Sequence, residues 1–218
     1  MLKVEKGKRQ YFPENLDITN WESLKKELDT LLEEKWEKPQ ELITFLEKFS
    51  ELGDIISEHG AWLYINMTRY ADKPEYREKF NDFYENVIAK TQVYDFKIKE
   101  KFYNSPLREQ LTGYDHLNRI ISNDIELFRE ENIPLFVEEQ KLANKYGEVL
   151  AGMTVEFQGE EKTLQQMGIY LKDKDRAVRE EAFMKSGQCV VDKSNELDKL
   201  FNELKSIRIK IADNDGYE

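Results

Sequence analysis

Few side chains in this sequence could coordinate a metal ion or act as a nucleophile. Among 218 residues there are two histidines, His59 and His116, and one cysteine, Cys189. Side chains that share a metal on a helix lie three or four positions apart, because that spacing places them on one face. Those positions carry no carboxylate, imidazole or thiol near either histidine: they are Ile55, Ile56, Trp62 and Leu63 around His59, and Thr112, Gly113, Arg119 and Ile120 around His116. Both histidines are therefore interpreted as structural or surface residues.

Nucleophilic and acid–base catalysis have equally little support. Cys189 lies between Gln188 and Val190, a setting that favours a small buried thiol over an activated one. The acidic pairs occupy adjacent positions, so their carboxylates would diverge around a helix and could not converge on a substrate. Solvated faces or helix-end charges explain these pairs, which are Glu130 with Glu131, Glu138 with Glu139, and Glu160 with Glu161.

One short segment is similar to part of a calcium-binding loop. In Asp213-Asn214-Asp215-Gly216 the glycine is fourth, whereas an EF-hand loop requires glycine at its sixth position and glutamate at its twelfth. No glycine-rich phosphate loop of the required spacing occurs either. The sequence thus gives no catalytic, cofactor-binding or metal-binding residue.

The charge balance argues against a nucleic-acid partner. Lysine and arginine together number 33 and aspartate and glutamate 44, so the formal net charge is -11. Such a chain repels a phosphate backbone unless its basic residues gather on one face. The longest basic cluster, Lys3 to Arg9, is interrupted by uncharged and acidic residues and is explained better as a solvated terminus than as a binding arm.

The lack of long apolar segments and the single cysteine predict a soluble protein of the cytoplasm. No segment approaches the roughly 18 consecutive apolar residues that a membrane span requires, so we expect no membrane contact. The start, Met1 to Glu5, lacks the apolar run of a signal peptide, and the single cysteine excludes an internal disulfide.

Residue spacing predicts a mainly α fold of long antiparallel helices with one small β-hairpin near residues 153–163. Thr19 and Glu22 form a capping-box pattern before a helix from about Asn20 to Trp36, and a second helix should run from Pro39 to Arg69. Later helices are expected from Pro74, at Leu117 to Phe128, at Leu135 to Leu150, from the Thr163 and Gln166 capping box to Leu171, after Asp173 or Asp175, and up to Gly216.

Two features of the predicted helices allow alternative interpretations. The third helix carries aromatic residues along one side, including Tyr76, Phe80 and Phe83, a pattern that favours a core stripe over a ligand-stacking groove. Gly53 and Gly60 interrupt the second helix, where either a kink or a close helix contact is expected. We divide the chain into a helical-hairpin region, residues 1–112, and a second helical region with the hairpin, residues 113–218.

Short motifs in a fixed order carry a resemblance to a known family. They are Ile133-Pro134-Leu135, Tyr146-Gly147, Thr154-Val155-Glu156-Phe157, Gly159-Glu160 and Thr163-Leu164-Gln165. Together they resemble the oligoendopeptidase F enzymes, zinc metallo-oligopeptidases related to thimet oligopeptidase. The resemblance spans the whole chain but covers only the amino-terminal part of the family.

The resemblance implies two helical halves that line a deep channel, which admits short peptides and excludes folded proteins. This chain would supply part of one wall. The family holds its zinc with H-E-x-x-H and a later glutamate, and no residue of this chain corresponds to them. Without zinc nothing lowers the pKa of a bound water or polarises the scissile carbonyl. We therefore expect no peptidase activity from this chain alone, and we expect the zinc in a missing carboxy-terminal catalytic region.

Two functional hypotheses follow. In the first, the chain is the amino-terminal part of a zinc oligopeptidase, and the absent region leaves an apolar surface through which the chain could self-associate. In the second, it is a self-sufficient helical module that binds a peptide or a partner protein and has no catalytic activity. Downstream H-E-x-x-H in the reading frame would favour the first hypothesis.

Overall fold

The computed structural model describes residues 7–217, so Lys3 to Lys6 of the basic cluster lie outside the described residues. The expected mainly helical fold with one small β-hairpin is confirmed. The helices are α1 (Trp21–Glu33), α2 (Pro39–Arg69), α3 (Pro74–Phe83), α4 (Ala89–Tyr103), α5 (Asp115–Leu127), α6 (Asn132–Ala151), α7 (Leu164–Tyr170), α8 (Arg176–Asp192) and α9 (Ser194–Asp215), and the strands are β1 (Thr154–Phe157) and β2 (Glu160–Thr163).

The chain divides into two compact units, Met1–Pro134 and Leu135–Glu218. Helices α1 to α5 belong to the first unit, and the hairpin with α7, α8 and α9 belongs to the second. Most of α6 lies in the second unit, since only its first three residues precede the boundary. The division at residues 112 and 113 stays a prediction.

Helices α1, α2 and α4 supply most of the core of the first unit. Leu24, Leu28 and Leu31 recur at helical spacing on α1 and are buried, as expected for one apolar face of an amphipathic helix. Twelve further buried residues complete this cluster, namely Phe12, Ile18, Leu42, Phe45, Leu52, Ile55, Phe83, Val87, Ile98, Phe102, Leu111 and Ile121. Such a continuous cluster is typical of a domain with its own hydrophobic core.

The start of α1 differs from the sequence prediction by one residue. Asn20 is the N-cap, and its side-chain oxygen accepts from the amides of Glu22 and Ser23 at 3.0 and 3.3 Å. The Thr19 hydroxyl is engaged elsewhere, donating to the Asp17 carboxylate at 2.6 Å. The predicted Thr19 capping box is therefore wrong, because Asn caps as well as Thr and the two residues are neighbours.

A π-helical turn joins α3 to α4. Residues Tyr84–Ile88 form this turn, and the Ala89 amide donates to the carbonyl of Tyr84. Phe80 and Phe83 before the turn, Val87 within it and Ile98 after it are all buried. The buried positions favour the core interpretation of the aromatic stripe.

Lys101 holds the carboxyl end of α1 against α4. Its ammonium donates to the carbonyls of Leu31 and Leu32 at 3.2 and 2.8 Å and also to that of Glu34. The same ammonium lies 4.4 Å from the centre of the Trp36 ring. Burial lowers the pKa of Lys101, and the Glu34 carboxylate opposes this. A lysine from another helix thus satisfies carbonyl groups that a helix end leaves without partners.

Glu51 of α2 anchors the extended segment that precedes α1. Its carboxylate accepts from three successive amides, those of Gln10 at 2.9 Å, Tyr11 at 3.0 Å and Phe12 at 3.1 Å. Burial would raise the pKa of Glu51, but the amide donors outweigh it and the pKa is lowered. Phe12 is consequently held in the core of the first unit.

The second unit is built around the hairpin. Strands β1 and β2 pair antiparallel, with Thr154 opposite Thr163 and Phe157 opposite Glu160, and Gln158 and Gly159 form the turn at positive φ. The predicted capping box of Thr163 and Gln166 is confirmed, as is the Asp175 cap on α8. A small cluster of four buried residues forms the core of this unit: Val155, Phe157, Met167 and Ala182.

Candidate functional site

His59 lies on the face of α2 that packs against the end of α3. Its ring centre is 4.8 Å from that of Phe83 at an interplanar angle of 58°. Burial lowers the pKa of His59, and the carboxylates of Asp17 and Glu58 only partly oppose it. The geometry is that of an imidazole packed against an aromatic ring.

His116 occupies the first turn of α5 and is exposed. Its Nδ1 is 3.0 Å from the guanidinium of Arg119, one turn further along the helix. A cation held beside the ring nitrogen disfavours binding of a metal ion there. The arrangement therefore serves as a surface contact.

Cys189 is half-buried on α8, more accessible than the buried thiol that the sequence favoured. Its sulfur lies 3.5 Å from the carbonyl oxygen of Thr154 and lines a cleft of about 420 Å³ between β1 and α8. No histidine occurs among residues 135–218 that could act as its base. The thiol therefore has no Cys–His pair within this unit.

The adjacent acidic residues have separate partners or face solvent. Glu139 accepts from Arg208 at 2.6 Å. Glu160 pairs with Lys162 at 2.5 Å, whereas Glu161 accepts from the hydroxyl of Thr154 at 2.6 Å. Glu130 and Glu131 are both exposed. These carboxylates do not converge as an acid–base pair would.

The segment similar to a calcium loop is helical. Asp213 to Asp215 form the last turn of α9, and Gly216 adopts a left-handed conformation with φ of 85°. The amides of Gly216 and Tyr217 donate to the carbonyls of Asp213 and Ala212 at 3.1 and 2.9 Å, which closes the helix end. The segment cannot wrap around an ion in this conformation.

The donor set of the described residues does not fit a zinc site. Across residues 7–217 no three His, Cys, Asp or Glu side chains are grouped closely enough to hold a metal ion. A catalytic zinc needs three such protein ligands and an open position. Each helix within residues 7–217 is too short or too polar to span a lipid bilayer.

Comparison with known proteins identifies the family of this chain, which the side chains described above do not reveal. Residues 14–128, more than half of the chain, match the family described as the peptidase M3 N-terminal domain. The chain belongs to this family. None of the curated proteins matches it.

Solved structures extend the likeness into the second unit. An oligoendopeptidase F, provisionally assigned, from Bacillus anthracis str. Ames is similar over 94% of the chain, with 26% identity and a TM-score of 0.84. A second protein provisionally assigned as oligoendopeptidase F has 23% identity and a TM-score of 0.80 over 96% of the chain. PZ peptidase A, crystallised with an inhibitor, has 22% identity and a TM-score of 0.84 over 94%. The last two show the fold alone.

The family resemblance found in the sequence is thereby confirmed. The chain covers 38%, 37% and 37% of the lengths of these three proteins. It is thus an N-terminal domain of an oligoendopeptidase-type peptidase family.

Sequence reasoning missed the Glu51 and Lys101 anchors, because their partners lie about 40 and 70 positions away along the chain.

Proposed function

We propose that this chain forms the amino-terminal channel wall of a zinc-dependent oligoendopeptidase that hydrolyses short peptides. The supporting observation is the family match together with the share of the relatives that the chain covers. In this proposal the zinc and its ligands belong to polypeptide other than these 218 residues. The chain contributes a helical scaffold and restricts the substrates that reach the catalytic centre.

The surface of the second unit supports a role beside further polypeptide. Phe183 and Phe201 are each 66% exposed and Ile169 is 75% exposed. Where such side chains form one contiguous patch, the patch is typical of a surface that packs against another polypeptide. We propose that the catalytic region covers them.

A mass measurement of the protein isolated from its own cells tests this proposal. The expected result is a polypeptide much longer than 218 residues, with H-E-x-x-H in the reading frame after Glu218. A natural product of 26.0 kDa that ends at Glu218 would contradict it.

A helical binding module without catalytic activity is the second candidate. The observation that favours it is a core in the first unit built from that unit's own helices, which could fold and bind without a catalytic region. A stop codon directly after Glu218, together with specific capture of a peptide or protein by the chain, would support this alternative.

A further inference from the structure

A cavity of about 490 Å³ opens between α2 and α4 in the first unit. Leu28 and Leu52, which are buried, lie at its base. The half-buried side chains of Phe49, Ile56 and Phe128 line its sides. This volume and these apolar walls fall in the range of small-molecule sites.

Gly53 lines the cavity, so position 53 presents no side chain to it. At Gly53 a Cβ atom would meet no atom within 4 Å, and φ is not in the left-handed region. A larger side chain at position 53 would have room to extend into the cavity.

One wall of the cavity carries an ion pair, since Asp95 and Lys99 line it and Asp124 contacts Lys99 from outside the lining. The Lys99 ammonium lies 2.6 Å from the Asp95 carboxylate and 2.8 Å from that of Asp124. Two carboxylates therefore share one cation, and they stay partly accessible, with side-chain exposures of 44% and 42%. The net charge of the whole chain, -11, adds to the attraction of cations.

We propose that this cavity binds a small hydrophobic amine. The apolar part of the ligand enters among Phe49, Ile56 and Phe128, and its protonated amino group pairs with Asp95. An amine can use the carboxylate oxygens that Lys99 leaves free, whereas an anion meets two carboxylates around an ammonium that is already paired. Free amino-acid derivatives and the amino terminus of a short peptide share this chemistry.

Titration of the 15N-labelled full chain with three aromatic probes tests the proposal. Phenylalanine amide carries the amine, N-acetylphenylalanine amide lacks the charge, and 3-phenylpropionate has the opposite charge. We expect a Kd on the order of 1 mM for the amine, the range for a ligand of about twelve heavy atoms. The other two probes should bind at least about tenfold more weakly. The peptide Phe-Gly-Gly and its acetylated form show whether a peptide terminus is also accepted.

Variants connect the binding to this cavity. Gly53→Leu fills it and should abolish amine binding, whereas Gly187→Leu makes the same change on α8, where a Cβ also has open space, and should leave binding intact. Asp95→Asn should weaken amine binding about fivefold and leave the acetylated probe unchanged, because Lys99 keeps Asp124. Circular dichroism melting confirms that each variant is folded.

Several results would overturn the proposal. They are no amine binding up to tens of millimolar, equal or tighter binding of the acetylated or anionic probe, and unchanged amine binding by folded Gly53→Leu. If Gly53→Leu does not fold, unchanged binding by Asp95→Asn overturns the proposal instead.

Discussion

The two units of this protein bury their apolar side chains to different extents. Among the described residues, fifteen buried side chains form the core cluster of the first unit and four form that of the second. Large exposed hydrophobic residues show the opposite distribution. The first unit has Trp62, Tyr64, Ile65, Ile120 and Leu127, and the second has Tyr146, Ile169, Leu171, Phe183, Met184, Val190, Val191, Phe201, Ile209 and Tyr217.

This difference distinguishes a unit with an extensive core from a unit that exposes more of its apolar side chains. The first unit contains the whole of the family match, and its helices cover one another's apolar faces. The second unit is shorter and leaves more of its apolar surface in water, which limits its free energy of folding. We expect the first unit to be the more stable of the two.

The largest effect should come from truncating a core side chain of the first unit. Phe45 is fully buried and its ring centre is 4.5 Å from that of Trp36. Phe45→Ala should lower the free energy of unfolding by about 3–5 kcal/mol, measured by urea denaturation with tryptophan fluorescence. The control Ile65→Ala in the same unit, at a 45% exposed position, should change it by less than about 1 kcal/mol. Equal losses in the two variants would contradict the assigned core.

The corresponding change in the second unit should act locally. Phe157 is fully buried, and its ring centre is 4.7 Å from that of Tyr170. Phe157→Ala should cost about 3 kcal/mol, because the small cluster around it can partly close the gap. Amide hydrogen exchange should accelerate in β1, β2 and α8 and stay unchanged in α2 and α4. Acceleration in both units would show that they unfold as one cooperative structure, which contradicts the expected difference between them.

Removing the Lys101 ammonium should have an intermediate effect. Lys101→Met keeps much of the side-chain volume but leaves the carbonyls of Leu31, Leu32 and Glu34 without this donor. The expected loss of unfolding free energy is about 1–3 kcal/mol by urea denaturation. The control Lys97→Met, on the exposed side of α4, should cost less than about 0.5 kcal/mol. If Lys101→Met loses as little unfolding free energy as the control, the hydrogen bonds of Lys101 contribute nothing to stability.

The Glu51 anchor should be sensitive to pH. Its pKa is lowered in the folded chain, so the carboxylate stabilises the fold above its unfolded pKa of about 4.3. That stability is lost as the pH falls through the lower folded value. At neutral pH, Glu51→Gln should raise the exchange rates of the Gln10, Tyr11 and Phe12 amides about tenfold.

In the wild type the protection of these three amides against exchange should fall as the pH is lowered, whereas in Glu51→Gln it should change little further. The control Glu58→Gln concerns a carboxylate that does not hold these three amides. An identical acid response in wild type and Glu51→Gln would contradict the assigned role.

The smallest change in stability should come from two exposed phenylalanines of the second unit. Replacing Phe183 and Phe201 by serine should alter the free energy of unfolding by less than about 0.5 kcal/mol per site. If the wild type self-associates through this surface, sedimentation velocity should show a shift toward monomer in the double variant. A wild type that is monomeric at high concentration would exclude self-association.

The sequence predicted elements whose signals are local. Helix α2 begins at Pro39 and ends at Arg69 as expected, because proline suits a first helical turn and the apolar positions recur every three or four residues. The Thr163 capping box and the Gly216 helix end likewise depend only on neighbours within a few residues.

Features that depend on distant residues could not be predicted. The sequence marked Gly53 as unusual, but only the positions of Phe49, Asp95 and Phe128 show that it borders a cavity. The Glu51 and Lys101 anchors need the folded chain for the same reason. The Thr19 prediction failed at short range, where two adjacent residues could both cap the helix.

Peptide hydrolysis by the purified 218-residue chain tests the central claim most directly. The chain, supplied with one equivalent of zinc, would be incubated with a set of quenched fluorescent peptides, and its zinc content measured after dialysis. We expect no cleavage above the buffer rate and no retained zinc, because the described residues supply no adequate ligand set. Zinc-dependent cleavage that chelators abolish would contradict the account.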